Sequence, residues 1–343
     1  MAPDVSGRLI RAAEFVEGVA DTHPRLGRVL RWLRGHWLEA IAIVSLVAVI
    51  VAVDPSKLIA TYGRVTLPPL LLMLPTVLAV YVLRGIGWWV ALRHLGVEIG
   101  PLRAVAIMFA GQTLIFMPAG DLARVALVER TGASGRDEGT LAGSIAFQEL
   151  LFLTLLGLGA LGQAFTELRI TLLVLVLVAA QAGIFVILLV EPVYRWAVGL
   201  VERFRLLRRF DSQLRSLRPA FLAMLAPRPL LGVLGCNAAA ALGMFVLFWL
   251  ALRAVDVTRV GLGQAAFVYG LAHILSGVSF LPGGVGSMEA LTVGLLASRG
   301  VAPPVGAAAA VLFRACNDAL MALVGVGAGV VLRREGSELD RVP

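Results

Sequence analysis

Apolar runs, too long and too continuous for helices in a water-soluble core, alternate along this chain with short clusters of arginine, proline and glycine. Six of them stay nearly free of charge over the 17 or more residues that carry a helix through a hydrocarbon core of about 30 Å. They run roughly Trp37–Val53, Leu67–Leu92, Gly139–Leu161, Leu168–Val190, Leu230–Leu252 and Pro304–Leu332. None shows the apolar–polar alternation over about ten residues that marks a strand of a membrane β-barrel. Two further apolar stretches break instead of crossing. Leu102–Phe116 leads into Met117-Pro118-Ala119-Gly120-Asp121 and a more charged helix to about Thr131; Gln264–Leu281 leads into Pro282-Gly283-Gly284-Val285-Gly286 and a helix to about Arg299. A helix, a Pro/Gly break and a second helix is the pattern of a re-entrant hairpin. Broken backbone is tolerated at membrane depth only inside protein or beside a wet cavity.

The two broken regions resemble each other. Phe116-Met117-Pro118-Ala119-Gly120 aligns with Phe280-Leu281-Pro282-Gly283-Gly284, Ala146-Phe147-Gln148 with Leu312-Phe313-Arg314, and Leu155-Leu156-Gly157 with Leu323-Val324-Gly325, at an offset of about 164–168 residues. Each unit, 67–161 and 230–332, reads as span, hairpin, span. The predicted fold is therefore an all-α polytopic membrane protein, with about six full spans plus two re-entrant helical hairpins in an inverted repeat. Secondary transporters use this architecture, with their sites at the repeat interface near mid-membrane.

Composition agrees: 59% of residues are hydrophobic, 15% are charged, and the mean hydropathy is +0.89. Soluble domains hold about 45–50% apolar and about 25% charged residues. A soluble enzyme, a nucleic-acid-binding domain and a disordered tail are thus excluded. The net charge of +8 has a topological cause instead. With the N-terminus in the cytoplasm and each hairpin returning to its own side, 21 cationic residues fall in cytoplasmic segments and 6 outside, as the positive-inside rule requires. This puts a segment 1–36 and a tail 333–343 in the cytoplasm, around a single membrane domain at 37–332. The expected location is a bacterial cytoplasmic membrane, and no cleavable signal peptide is read at its start. The basic, aromatic-interleaved loop 191–229 is expected to lie on the anionic inner leaflet. Cys236 and Cys316 both lie in apolar runs and imply neither disulfide nor metal site; no cofactor is expected.

Charge inside a bilayer costs at least about 2.5–3.5 kcal/mol per residue, yet Arg84, Asp121, Arg124, Glu149, Glu289, Arg314 and Asp318 lie in or near membrane segments. Asp121 and Arg124 follow the first break and Glu289 the second. Glu149 and Arg314 occupy equivalent depths in the next spans, and Arg314 and Asp318, four apart, share a helical face. Gly283, Gly284 and Gly286 would let backbone donors face a ligand at the start of a helix near Ser287, where the dipole favours an anion. One reading is an anionic head group held by Arg124, Arg314 and the glycine tip; the other is that the charges pair among themselves and lock helices together. Asp121 suits a helix N-cap equally well. Arg84 is expected to snorkel to the interface beside Trp88 and Trp89. His273 is expected to be structural, and Gln112, Gln148 and Gln264 to join helices.

Pro118-Ala119-Gly120-Asp121, Arg124, Ser144 and Glu149, with Leu281-Pro282-Gly283-Gly284-Val285-Gly286-Ser287-Met288-Glu289, Gly300 and Arg314, resemble the two motif regions of the lysylphosphatidylglycerol synthase transmembrane-region family. Asp121 stands where that family often has Glu, and Glu149-Leu150 where Glu-Arg is common. The resemblance implies a flippase-like lipid-handling module related to the membrane domain of the multiple peptide resistance factors. Their aminoacyltransferase domain has no counterpart here, since no polar stretch exceeds about 40 residues. Stand-alone relatives are associated with glycolipid, polyprenyl-phosphate-sugar or hopanoid pathways. The expected function is transport or presentation of an anionic lipid head group, with no catalytic residues. The alternatives are a scaffold for a lipid-modifying enzyme docked on 191–229, or an intramembrane lipid-pyrophosphate phosphatase. Expected partners are membrane lipids, such an enzyme or a second copy of the chain, and not nucleic acid.

Overall fold

A computed structural model describes residues 55–63, 65–114, 123–129, 138–162, 168–201, 211–278 and 284–339. The expected first span Trp37–Val53, the segment 1–36 and the two loop tips at 115–122 and 279–283 lie outside the described residues.

Among the described residues every regular element is helical. In chain order these are α1 Pro55–Tyr62, α2 Leu67–His94, α3 Pro101–Gly111, α4 Ala123–Glu129, α5 Glu138–Leu161, α6 Leu168–Leu189, α7 Glu191–Val201, α8 Asp211–Ala223, α9 Pro227–Ala254, α10 Leu262–Val278, α11 Ser287–Ala297, α12 Pro303–Arg314 and α13 Met321–Leu339. A short 3-10 turn, Gln112–Leu114, ends α3, and a π-helical segment, Ala315–Leu320, joins α12 to α13. Proline opens α2, α3, α9 and α12, where its fixed φ suits the first turn and its missing N–H costs no bond. Five of these stretches are long and apolar enough to cross a membrane: Leu67–His94, Glu138–Leu161, Thr171–Leu189, Pro227–Ala254 and Pro303–Leu332. They coincide with five of the six expected spans. α3 and α11, at 11 residues each, rise only about 17 Å and cannot cross alone.

The bundle centres on α2 and α9, which pack along each other. A Cβ on Gly243 would meet Val80 Cγ2 at 2.5 Å and one on Gly87 would meet Cys236 Cβ at 3.0 Å, so small residues set the spacing. Two further sets of contacts pass between the N-terminal and C-terminal parts of the chain. α3 packs on α2 and α13, while α10 packs on α9 and α5. Gly325 on α13 touches the Phe109 carbonyl of α3, and a Cβ on Gly270 of α10 would sit 2.5 Å from the Leu156 oxygen of α5. α10 and α11 also lie against each other, and the chain just before α10 (255–259) and just after α11 (301–302) borders one cavity. The chain therefore leaves and returns at the same end of the bundle.

α6 is the most lipid-like element: Leu172, Leu175, Val176, Ile184 and Val186 are exposed along it. The basic loop divides into two parts. α7 carries the exposed Trp196 and Leu200, as an interfacial helix would. α8 is docked on α5 instead, with Phe221 fully buried edge-on to Phe147 at 5.1 Å. Arg218 there does not face a lipid surface. It donates to the carbonyls of Leu188 and Leu189 and to Glu191, closing the C-terminal end of α6.

Candidate functional site

Two buried ionic clusters occupy the middle of the bundle. In the first, Glu149 of α5 is shared by two arginines: Arg84 Nη2 lies 2.5 Å from both carboxylate oxygens, and Arg124 Nη2 lies 2.8 Å from Oε1. Arg124 is fully buried, its guanidinium 5.5 Å from the centre of the Trp88 ring. Trp88 Nε1 donates to Ser144 Oγ, which turns back to the Leu141 carbonyl. Arg84 does not snorkel. Its guanidinium lies 4.4 Å above the Phe152 ring and reaches inward to the carboxylate. Gln148 joins three helices, donating to the Arg84 carbonyl and accepting from Arg124 Nη1 at 3.4 Å. Gln112 and Gln264 do not act this way: Gln112 donates within its own helix, and Gln264 accepts from the Gly261 N–H.

The second cluster inverts the first. Arg314 of α12 is shared by two carboxylates, Glu289 Oε1 at 3.0 Å from Nε and Asp318 Oδ2 at 2.9 Å from Nη1. Arg124 and Glu289 are 165 residues apart, as are Glu149 and Arg314. Residues at this offset therefore carry opposite charges, and the third member of each cluster is reversed too: Arg84 in one, Asp318 in the other. Asp318 also accepts from Asn317 Nδ2 at 2.6 Å, and Tyr81 donates its hydroxyl to Asn317 Oδ1 at 3.3 Å. Tyr81 and Arg84 are three apart on one face of α2, so a single helix touches both clusters. The rings of Tyr269 and His273 of α10 lie 5.5 Å apart between centres, tilted by 35°.

The glycine tip is only partly described. Gly284 and Gly286 take φ of 63° and 82°, a left-handed conformation that a side chain would strain. The N–H of Gly286 is occupied by Glu289 Oε2 at 2.7 Å, and Ser287 Oγ donates to the Gly284 carbonyl at 3.0 Å. The start of α11 thus meets its own glutamate. Gly283 and Asp121 lie outside the described residues.

The ten expected site residues divide accordingly. Arg124 and Glu149 form one cluster, Glu289, Arg314 and Asp318 the other, and Gly284, Gly286 and Ser287 build the turn that presents Glu289. Tyr81, Asn317 and Gln181 were not foreseen, and Gln181 bridges α6 to α5 through Thr154 Oγ1 and the Leu150 carbonyl. Uncharged polar residues inside apolar runs give little signal of their own. Among the described residues no three His, Cys, Asp or Glu side chains come together to hold a metal ion.

A family model for the lysylphosphatidylglycerol synthase TM region matches residues 37–325. The chain belongs to this family. The match takes in both clusters, four of the described spans in full and the fifth as far as the second turn of α13. No curated protein is detectably similar to the chain. Members of the lysylphosphatidylglycerol synthase TM-region family are membrane domains linked to lipid modification or flipping. The clusters suit that association chemically: a guanidinium holds phosphate by the same forked donors that hold carboxylate.

Proposed function

We propose that this chain moves or presents an anionic lipid head group across the bacterial cytoplasmic membrane, with its termini on the cytoplasmic side. One observation carries the reading. Two buried Arg–carboxylate clusters of opposite polarity occupy corresponding positions in the two halves and are joined through one face of α2. Buried ion pairs contribute little net stability, because desolvation offsets their attraction, and ionised groups at membrane depth mark transport pathways. The exchanged packing of α3 on α13 and α10 on α5 supports an inverted repeat, and the return of α10 and α11 to one end supports a re-entrant hairpin. A phosphate entering the bundle would compete with Glu149 or Glu289 for its arginine. The released carboxylate would then weaken the contacts that hold the two halves in one arrangement. Alternating access follows when the two clusters open in turn.

The test is reconstitution into phosphatidylcholine vesicles with a head-group-labelled anionic phospholipid as tracer, followed by leaflet exchange. Wild type should exchange the tracer faster than empty vesicles, and Arg124→Ala and Arg314→Ala should fall towards the empty-vesicle rate. Equal rates in all four preparations would eliminate transport.

A further inference from the structure

A second place in the molecule has the chemistry of a lipid head-group site, 28 residues along α9 from the arginine-rich loop. It is a cavity of about 460 Å³ between α1, the 255–259 turn and the start of α12. Lys57, Thr61, Asp256, Thr258, Arg259, Ala302 and Val305 are among the residues that line it. The volume falls within the range of about 300–1,000 Å³ usual for small-ligand sites. Two cations suit a phosphate, and Arg259 adds planar donors that match phosphate oxygens. Two threonine hydroxyls and the Asp256 carboxylate add acceptors for a ligand that carries hydroxyl groups of its own. Asp256 adopts a φ of 62°, rare for a residue with a side chain, where the chain turns into the cavity wall.

The surroundings favour a lipid over a free phosphate. Val255, Val257, Val301 and Val305 give the cavity an apolar side. Ile59, on the helix that carries Lys57, is 71% exposed, and Leu67 and Leu262 nearby are exposed as well. An exposed apolar rim beside a cationic wall is what a membrane interface accommodates. α1 is fixed against α12 by Tyr62, which donates to the Ala308 carbonyl at 3.1 Å; burial pushes its phenol up to about 12, so it remains a donor at any physiological pH. α12 then leads inward: Val305 lines the cavity, and Arg314 lies nine residues further along, about 14 Å deeper.

We propose that this cavity binds the phosphate and hydroxyls of a glycerol- or sugar-bearing anionic lipid in the leaflet opposite the arginine-rich loop, as the outer station of the route past Arg314. The inference rests on the transport reading for the route, but not for the binding itself. The test places a reporter cysteine at Ala302→Cys, in protein reconstituted in phosphatidylcholine vesicles, and measures its labelling by a membrane-impermeant maleimide above the background of the unsubstituted chain. Dihexanoyl-phosphatidylglycerol should slow labelling. Lys57→Glu with Arg259→Glu should raise the concentration needed by about tenfold or more. Absence of protection by this probe would overturn the site. Equal protection by glycerol 3-phosphate would overturn the lipid assignment in favour of a free phosphate, and equal protection by dihexanoyl-phosphatidylcholine would overturn selectivity for anionic polyols. The same vesicles carry the leaflet-exchange assay: exchange without protection sinks the cavity alone, whereas protection without exchange supports the cavity and sinks the transport reading.

Discussion

At the level of single residues, the two clusters differ in what each charge stands to lose. Glu149 neutralises Arg84 and Arg124 together, whereas Arg314 keeps Asp318 if Glu289 is removed. Glu149→Gln removes two ion pairs at once and should therefore cost about 3–5 kcal/mol, the usual range when one member of a buried ionic cluster is lost. Glu289→Gln should cost clearly less. Thermal unfolding in detergent, followed by circular dichroism, ranks the two, and an equal or reversed ranking would contradict the geometry. The third charges also fix the polarity of each pair. Arg124→Glu with Glu149→Arg copies the order found in the second unit but sets the new arginine against Arg84. The double variant should be no more stable than Glu149→Gln, while adding Arg84→Glu should recover stability. These ionised positions were legible because charge in an apolar run is costly and stands out. Their pairing was not legible, since each bond joins segments far apart in the chain. Arg84 shows the limit most clearly. Its neighbours Trp88 and Trp89 pointed to the interface, but a carboxylate on α5, 65 residues away, turned it inward.

Among the elements, the spans were legible because apolar length is nearly sufficient to specify a helix in lipid, where every backbone group must be satisfied internally. Departures arise where a tertiary demand overrides that rule. The segment 303–332 reads as one uninterrupted helix, yet it widens into a π-helix at Ala315–Leu320, beside Arg314 and through Asn317 and Asp318. Such insertions accompany functional positions, and apolar periodicity does not reveal them. The turn before α11 was better announced, since Gly284 and Gly286 do require positive φ. Gly284→Ala would also bring a Cβ to 3.0 Å from Ser276 Oγ. Each of Gly284→Ala and Gly286→Ala should lower stability by about 1–2 kcal/mol. Gly235→Ala, in the interior of α9 with open space around it, should be neutral or raise stability by up to about 1 kcal/mol. The same unfolding measurement decides, and equal effects at all three positions would mean that the turn does not constrain the fold.

For the molecule as a whole, the question is on which side of the membrane each end of the bundle lies. Composition points to membrane residence, and the arginine distribution predicts an orientation that weakens if either hairpin is instead a full crossing followed by a loop. The packing supports the proposed hairpin, because 255–259 and 301–302 border one cavity although α10 and α11 lie between them. A chain that crossed once between these points would put them about 30 Å apart. Thr258→Cys and Ser298→Cys should therefore react with a membrane-impermeant maleimide from the same face of the membrane. Arg195→Cys, on α7 at the far end of the bundle, should react from the other. The experiment uses intact cells and inverted membrane vesicles in parallel. Were Thr258→Cys and Ser298→Cys labelled from opposite faces, the hairpin would become a span, α12 would reverse direction, and the inverted relation of the two clusters would be lost. Labelling from one face instead leaves Arg314 reached from the outer side along α12, and Glu149 with its two arginines in the unit of opposite orientation. That is the arrangement in which one head group could meet the two clusters in turn.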